Sequence, residues 1–209
     1  MLELRGDIYF YDLLCRIFSA EPSLDLLREI AAINLPYDEN DTASNGLLQM
    51  IETARFHGNN LEVWQEALSV EFVRLFLGPI EPVSIPYASW YLSTSRQLMT
   101  DETLDVRRRY LDAGIAVKEL YSIPDDHICI ELEFLSYLTK EIISAREGGQ
   151  LERARESEVA RDEFVKEHMQ RWVPAFVAAI VNSDADEFYR GAAMLLGEVF
   201  MNSEETHMM

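Results

Sequence analysis

Two adjacent carboxylates and a histidine, Asp125, Asp126 and His127, follow Pro124 and precede a long apolar stretch. The polar cluster therefore stands where a helix begins. The first-turn amides of a helix lack partners and carry partial positive charge, so we expect Asp125 or Asp126 to cap them. The other carboxylate and His127 would then be free to contact a ligand. The apolar residues that anchor the cluster recur at helical spacing, at Ile128, Leu132, Leu135 and Leu138.

A metal site is one chemistry that this cluster would support. His127 and Glu131 share one face of the predicted helix, with Asp126 adjacent, and such ligands suit zinc, manganese or iron. A di-metal site in a helix bundle instead requires two Glu-x-x-His pairs, and of the four histidines only His207 follows a glutamate at that spacing. The sequence therefore predicts that the chain has no metal site. A metal-dependent, hydrolase-like enzyme that uses Asp126, His127 and Glu131 is the alternative.

Nucleophilic catalysis by Cys129 is a second chemistry to consider. His127 lies two residues away on the same helix and would point to a different face, so the two cannot act as nucleophile and base. The sequence has no glycine-rich phosphate loop. Cys15 and Cys129 fall in apolar helical patterns, which predicts small buried thiols in a reducing compartment.

A purely structural role remains the alternative for the aspartate and histidine cluster. In that role the cluster caps the helix and shapes the turn without binding a ligand.

A stiff apolar segment points to a peptide-binding surface. The range 79–86 holds three prolines with apolar residues between them, so it cannot be helical and is too apolar for an ordinary solvated loop. Rigid aromatic anchors line many grooves that bind peptides. With the carboxylates, the segment predicts a groove for a ligand that is apolar and has a basic end. The aromatic residues on either side of the segment are Trp64, Phe72, Phe76, Tyr87 and Trp90.

The composition restricts the class of partner. The 209 residues carry a formal charge of −19, from 18 basic and 37 acidic side chains, which disfavours nucleic acid and anionic membranes. A cationic peptide would be attracted, although such acidity also simply keeps proteins soluble. The first dozen positions include four charged residues, and no apolar stretch reaches membrane-spanning length. We therefore expect a cytoplasmic protein without stable membrane insertion.

Helical periodicity runs through the whole chain, without a convincing strand or a repeat. The range 36–45 is polar and predicts a loop. The expected fold is all-α, a single-domain bundle of about eight or nine helices over residues 1–209. The predicted helices are 4–18, 24–33, 47–56, 61–76, 87–98, 100–111, 128–146, 151–171 with a continuation at 176–181, and 188–200.

Three motifs, taken together and in order, resemble a known family. They are Glu71-Phe72-Val73-Arg74-Leu75-Phe76-Leu77-Gly78-Pro79, Pro86-Tyr87-Ala88-Ser89-Trp90-Tyr91 and Pro124-Asp125-Asp126-His127. From about Leu68 onward the chain is similar to the TorD/DmsD family of cytoplasmic molybdoenzyme chaperones. The resemblance implies an all-helical fold and no catalysis, and we expect no cofactor. It implies binding of the twin-arginine signal peptide of a molybdenum-cofactor oxidoreductase precursor, with help in cofactor insertion and delay of export.

The resemblance also implies which residues bind the peptide. The family often has Glu where Ile123 stands, and frequently Trp where Phe72 and Tyr87 stand, so we expect the choice of partner to differ. A purely structural assembly subunit remains an alternative, and a homodimer is left open. Asp126 would meet an arginine of the signal, and the aromatic and proline surface would take its apolar stretch. The positions carried over are Phe72, Leu75, Phe76, Ile80, Pro86, Tyr87, Asp126 and His127.

Overall fold

The structure, a computed structural model, describes residues 1–35, 45–78, 81–117 and 123–201. Ile80, His207 and most of the predicted loop at 36–45 lie outside the described residues. None of the helices in the described ranges is long and apolar enough to cross a membrane. The α-helices are α1 Leu2–Ser19, α2 Leu24–Ala32, α3 Asn45–Phe56, α4 Leu61–Phe72, α5 Ala88–Leu92, α6 Asp101–Asp112, α7 Ile128–Glu147, α8 Leu151–Phe164, α9 Gln170–Val181 and α10 Glu187–Met201.

The all-α prediction is confirmed. A π turn at Val73–Leu77 extends α4, and another at Val165–Met169 joins α8 to α9. With these continuations merged, the described part of the chain holds nine helical segments, in agreement with the expected eight or nine. The described residues contain no β-strand, and their one isolated bridge joins Tyr87 to His127.

One predicted helix, 87–98, is wrong in length. Helix α5 ends at Leu92, and the following segment turns instead of continuing the helix. The Ser93 hydroxyl accepts a hydrogen bond from the Gln97 amide at 3.1 Å, an alternative to the helical pairing. Arg96 and Met99 adopt positive φ angles of 49° and 59°, which no helix tolerates.

The chain forms two compact units, and each is made of two chain segments. Unit 1 comprises Met1–Ser19 and Pro86–Val173, and unit 2 comprises Ala20–Ile85 and Pro174–Met209. The single domain expected from the sequence stays a prediction.

Helix α7 is the centre of unit 1. It packs against α1 and α8, and its buried side chains lie on several faces. Phe134 of α7 contacts Tyr110 of α6 and meets Phe164 of α8 edge to face, with centroids 4.9 Å apart. The start of α7, where the predicted polar cluster stands, is therefore held on a rigid core helix.

Unit 2 is built around close contact between α3 and α10, which is possible because two glycines lie at the contact. A Cβ atom on Gly46 would stand 2.3 Å from the Leu195 amide nitrogen, and one on Gly191 would stand 2.8 Å from the Gly46 carbonyl oxygen. Such approaches are closer than real Cβ contacts allow. Only glycine therefore fits at either position in this packing.

Candidate functional site

Two of the predicted site residues, Tyr87 and His127, are held side by side by the backbone of unit 1. They form an antiparallel bridge. Beside it, the Ala88 amide donates to the Asp126 carbonyl at 3.0 Å and the Ile128 amide donates to the Pro86 carbonyl at 3.0 Å. These backbone contacts join two motifs that are distant in sequence into one local structure. Its four positions are Pro86, Tyr87, Asp126 and His127. The rings of Tyr87 and His127 meet edge to face, with centroids 4.9 Å apart.

His127 caps helix α7, which corrects the expectation that Asp125 or Asp126 does so. Its Nδ1 accepts a hydrogen bond from the Cys129 amide at 3.1 Å, so Nδ1 carries no proton. Burial lowers the pKa of His127 to about 4, against the weaker raising effect of the Asp126 charge. The imidazole is therefore neutral at neutral pH and is fixed by its capping role, whereas the sequence suggested that it was free.

The Asp126 carboxylate is fully buried, and both of its oxygens are engaged. Oδ2 accepts from the Ser89 amide in the first turn of α5 at 2.7 Å, and Oδ1 accepts from the Thr103 hydroxyl at 2.9 Å. Asp126 thus caps α5, a helix distant in sequence, and ties it to α6. The Asp126 charge also acts on the half-buried Tyr87. Burial raises the pKa of Tyr87 most, and the charge of Asp126 raises it further.

Asp125 is also occupied, by groups on helix α6. Arg107 makes a two-point ion pair with its carboxylate, and the Tyr110 hydroxyl donates to its backbone carbonyl at 3.0 Å. Neither carboxylate is therefore the unengaged group that the sequence suggested. Together the two aspartates join the start of α5, the length of α6 and the start of α7 within unit 1.

The predicted site residues of unit 2 that the structure describes are three core residues. Phe72, Leu75 and Phe76 are buried, and the two phenylalanine rings pack on each other with centroids 5.1 Å apart. Both rings also pack against Tyr189, and Phe76 packs against Phe176. Their role in peptide binding stays a prediction.

Sequence reasoning missed a buried polar group around Glu131. Its Oε1 lies 2.6 Å from the His168 Nε2, and its Oε2 accepts from the Trp172 indole nitrogen at 3.1 Å. Burial raises the pKa of Glu131, and the contacts with His168 and Trp172 oppose this rise. His168 and Trp172 are distant from Glu131 in sequence, and no sequence pattern links them to it.

The metal-dependent alternative gains no support from this geometry. Asp126 faces Ser89 and Thr103, His127 faces the Cys129 amide, and Glu131 faces His168 and Trp172. The three side chains are therefore engaged in separate places. In the residues that the structure describes, no group of three or more His, Cys, Asp or Glu side chains is arranged to hold a metal ion.

Residues 37–178 match the family described as nitrate reductase delta subunit. The chain belongs to this family. Several proteins of similar sequence are each named chaperone protein TorD, so the resemblance noted from the sequence motifs is confirmed. The protein from Vibrio cholerae is 29% identical over 202 residues, which are 92% of this chain and 87% of its own length.

Two further TorD chaperones are similar to this chain over most of its length. The protein from Vibrio parahaemolyticus is 27% identical over 93% of this chain and 90% of its own length. The protein from Photobacterium profundum is 30% identical over 72% of this chain and 69% of its own. These relatives are named chaperones, which agrees with the resemblance that the motifs indicated.

Proposed function

We propose that this chain is a cytoplasmic chaperone that binds the twin-arginine signal peptide of a molybdenum-cofactor oxidoreductase precursor. In this role it assists cofactor insertion and delays export. The observation that carries the proposal is the Tyr87–His127 pair, formed by two motifs of the family resemblance and backed by the buried charge of Asp126. The formal charge of −19 supports it further, because a cationic peptide is attracted to an acidic protein.

Within this proposal, a signal-peptide arginine lies against the Tyr87 ring. A guanidinium is attracted to an aromatic face, and a nearby negative charge strengthens that attraction. Because both Asp126 oxygens already accept hydrogen bonds, we propose that Asp126 acts through space and not by a bidentate contact. His127, whose pKa is about 4, adds no repulsive positive charge at neutral pH.

The other predicted positions have supporting roles in the proposal. Pro86 fixes the backbone beside Tyr87, since its carbonyl accepts from the Ile128 amide. The apolar core of unit 2 includes Phe72, Leu75 and Phe76. In the proposal, the packing of this core supports binding of the apolar part of the signal peptide indirectly. Ile80 keeps its proposed role as an apolar contact.

Calorimetric titration with synthetic signal peptides of candidate molybdoenzymes tests the proposal. We expect micromolar or tighter binding to at least one peptide, weakened by salt and by replacing both arginines with lysine. Failure of every twin-arginine peptide to bind would contradict the proposed function. Metal found by elemental analysis in such a non-binding protein would instead favour the enzyme alternative.

Variants at Tyr87 locate the contact. Tyr87→Ala removes the ring and should weaken binding by roughly 1 kcal/mol, whereas Tyr87→Phe keeps the ring and should bind almost normally. Phe56→Ala is the matched control, because Phe56 is an exposed aromatic residue of α3, at 83% exposure, outside the proposed site. Equal losses of peptide affinity in Tyr87→Ala and Phe56→Ala would show that the peptide binds elsewhere.

A further inference from the structure

The two cysteines of the chain, expected from the sequence to be separate buried thiols, are in contact within unit 1. Cys15 lies on α1 and Cys129 in the first turn of α7, and these two helices pack together. The Cys129 thiol donates to the Cys15 backbone carbonyl at 3.4 Å. Both cysteines are free in the structure. The contact makes the two side chains neighbours, as a disulfide between them requires.

The two thiols differ in access to solvent. Cys129 is buried, with 6% of its surface exposed, whereas Cys15 is only half-buried, which corrects the expectation for that residue. The Cys15 thiol faces the Glu133 carboxylate, with Sγ 3.8 Å from Oε1. A dissolved oxidant therefore reaches Cys15 first, and Cys129 stands behind it.

We propose that Cys15 and Cys129 form a peroxide-sensitive thiol pair, in which a hydroperoxide oxidises Cys15 and Cys129 then closes an intramolecular disulfide. In the first step the Cys15 sulfur attacks the O–O bond, gaining one oxygen to become a sulfenic acid, while the peroxide is reduced to an alcohol, or to water from hydrogen peroxide. In the second step the Cys129 sulfur displaces that oxygen as water and the S–S bond forms.

Burial governs the course of this reaction. Burial, the neighbouring Cys15 and the charge of Glu133 raise the pKa of the Cys129 thiol, so Cys129 by itself reacts slowly with oxidants. A buried thiol also cannot reach a second copy of the chain. The bond therefore forms within one molecule, and it links the segment Met1–Ser19 to the segment Pro86–Val173 inside unit 1.

The proposal is tested by oxidising the full-length protein with stoichiometric hydrogen peroxide at neutral pH, then alkylating and digesting it. We expect an intact mass lower by two hydrogens and a cross-linked peptide pair that contains Cys15 and Cys129. Oxidised protein should also melt at a higher temperature than reduced protein, because the bond closes a long loop of the unfolded chain. Both changes should reverse with a reducing agent.

Two single variants identify the order of the steps. Cys129→Ser should stop at the sulfenic acid of Cys15, which dimedone labels, whereas the wild type should give little adduct. Cys15→Ser should give neither the adduct nor the melting shift. Both variants replace a small side chain by a similar one, and circular dichroism checks that each is folded.

Four outcomes would overturn the proposal. They are wild-type protein whose two cysteines both remain open to alkylation, Cys15 overoxidised beside a free Cys129 thiol, a covalent dimer, and a cross-link that forms only in denaturant. Absence of the dimedone adduct in folded Cys129→Ser would likewise overturn it. None of these results bears on peptide binding, which the calorimetric experiment tests separately.

Discussion

The ring of His127 meets the ring of Tyr87 edge to face, at an interplanar angle of 77°. The imidazole is fixed on its other side by the Cys129 amide, which donates to Nδ1. His127 thus has two roles. It caps the N-terminus of α7, and its ring packs against the ring of Tyr87. The capping role requires an unprotonated Nδ1, which the neutral ring supplies.

Replacing His127 should change the pH dependence of stability. The folded pKa is about 4 and the ordinary value is 6.5, so unfolding takes up a proton between these values. Wild-type stability is therefore complete above pH 6.5 and falls as the pH is lowered toward 4, by roughly 3 kcal/mol for this group. His127→Asn keeps a capping acceptor but does not titrate. Urea unfolding at a series of pH values should show a smaller acid loss in the variant, and parallel curves would contradict the assignment.

Asp126→Ala should reduce stability, because it leaves the Ser89 amide and the Thr103 hydroxyl buried without their acceptor. We expect a loss of roughly 2–4 kcal/mol in chemical denaturation. Asp126→Asn keeps one acceptor oxygen and should lose less. A peptide titration with folded Asp126→Asn then measures the effect of the charge. If Asp126→Ala unfolded like the wild type, the capping role of Asp126 would be wrong.

Glu131→Ala should be among the more damaging changes in unit 1. It leaves the Trp172 indole N–H without its acceptor and removes the partner of His168 in a fully buried place, at a cost of roughly 2–4 kcal/mol. Glu131→Gln keeps the shape and one acceptor oxygen, so it should be milder. Glu133→Ala, on the exposed side of the same helix, is the matched control for helix α7. Thermal melts should rank the alanine variant at Glu131 lowest of the three, and equal melting temperatures would refute the buried network.

Gly46→Ala should weaken unit 2, because the added methyl group would collide with the backbone of α10. Separating two packed helices costs roughly 1–3 kcal/mol or more. Gly6→Ala is the control, since Gly6 lies in helix α1 and a Cβ there meets nothing within 4 Å. Alanine at that site should be neutral or slightly stabilising. A lower free energy of unfolding in Gly46→Ala but not in Gly6→Ala, measured by denaturant titration, would support the close contact. An unchanged free energy of unfolding in both variants would contradict it.

Local features were predictable from the sequence because they depend on neighbours in the chain. Ser23 caps α2, accepting from the Leu26 amide at 3.2 Å, and Gly78, with a φ of 50°, ends the turn after α4. The cap of α7 was assigned to the wrong side chain, because aspartate is the commoner cap and no local signal showed that Asp126 caps α5 instead.

Pairings between distant residues could not be read from one sequence. The ion pair of Asp125 with Arg107, the contact of Glu131 with His168, and that of Cys15 with Cys129 join elements that are distant in sequence. Helical periodicity fixes which face of a helix is apolar, but it does not fix which helix lies against it. Nothing in the sequence around Arg107 shows that Asp125 is its partner.

The interleaving of the two chain segments in each unit has a consequence for synthesis on the ribosome. Helix α1 emerges well before α7, against which it packs, because α7 begins only at Ile128. At usual elongation rates the apolar face of α1 waits on the order of ten seconds for its partner. During that interval Leu14, Ile17 and Phe18, all buried in the finished protein, lack the surface that covers them. A chaperone of this design is thus itself a nascent chain in need of protection until its second half has been made.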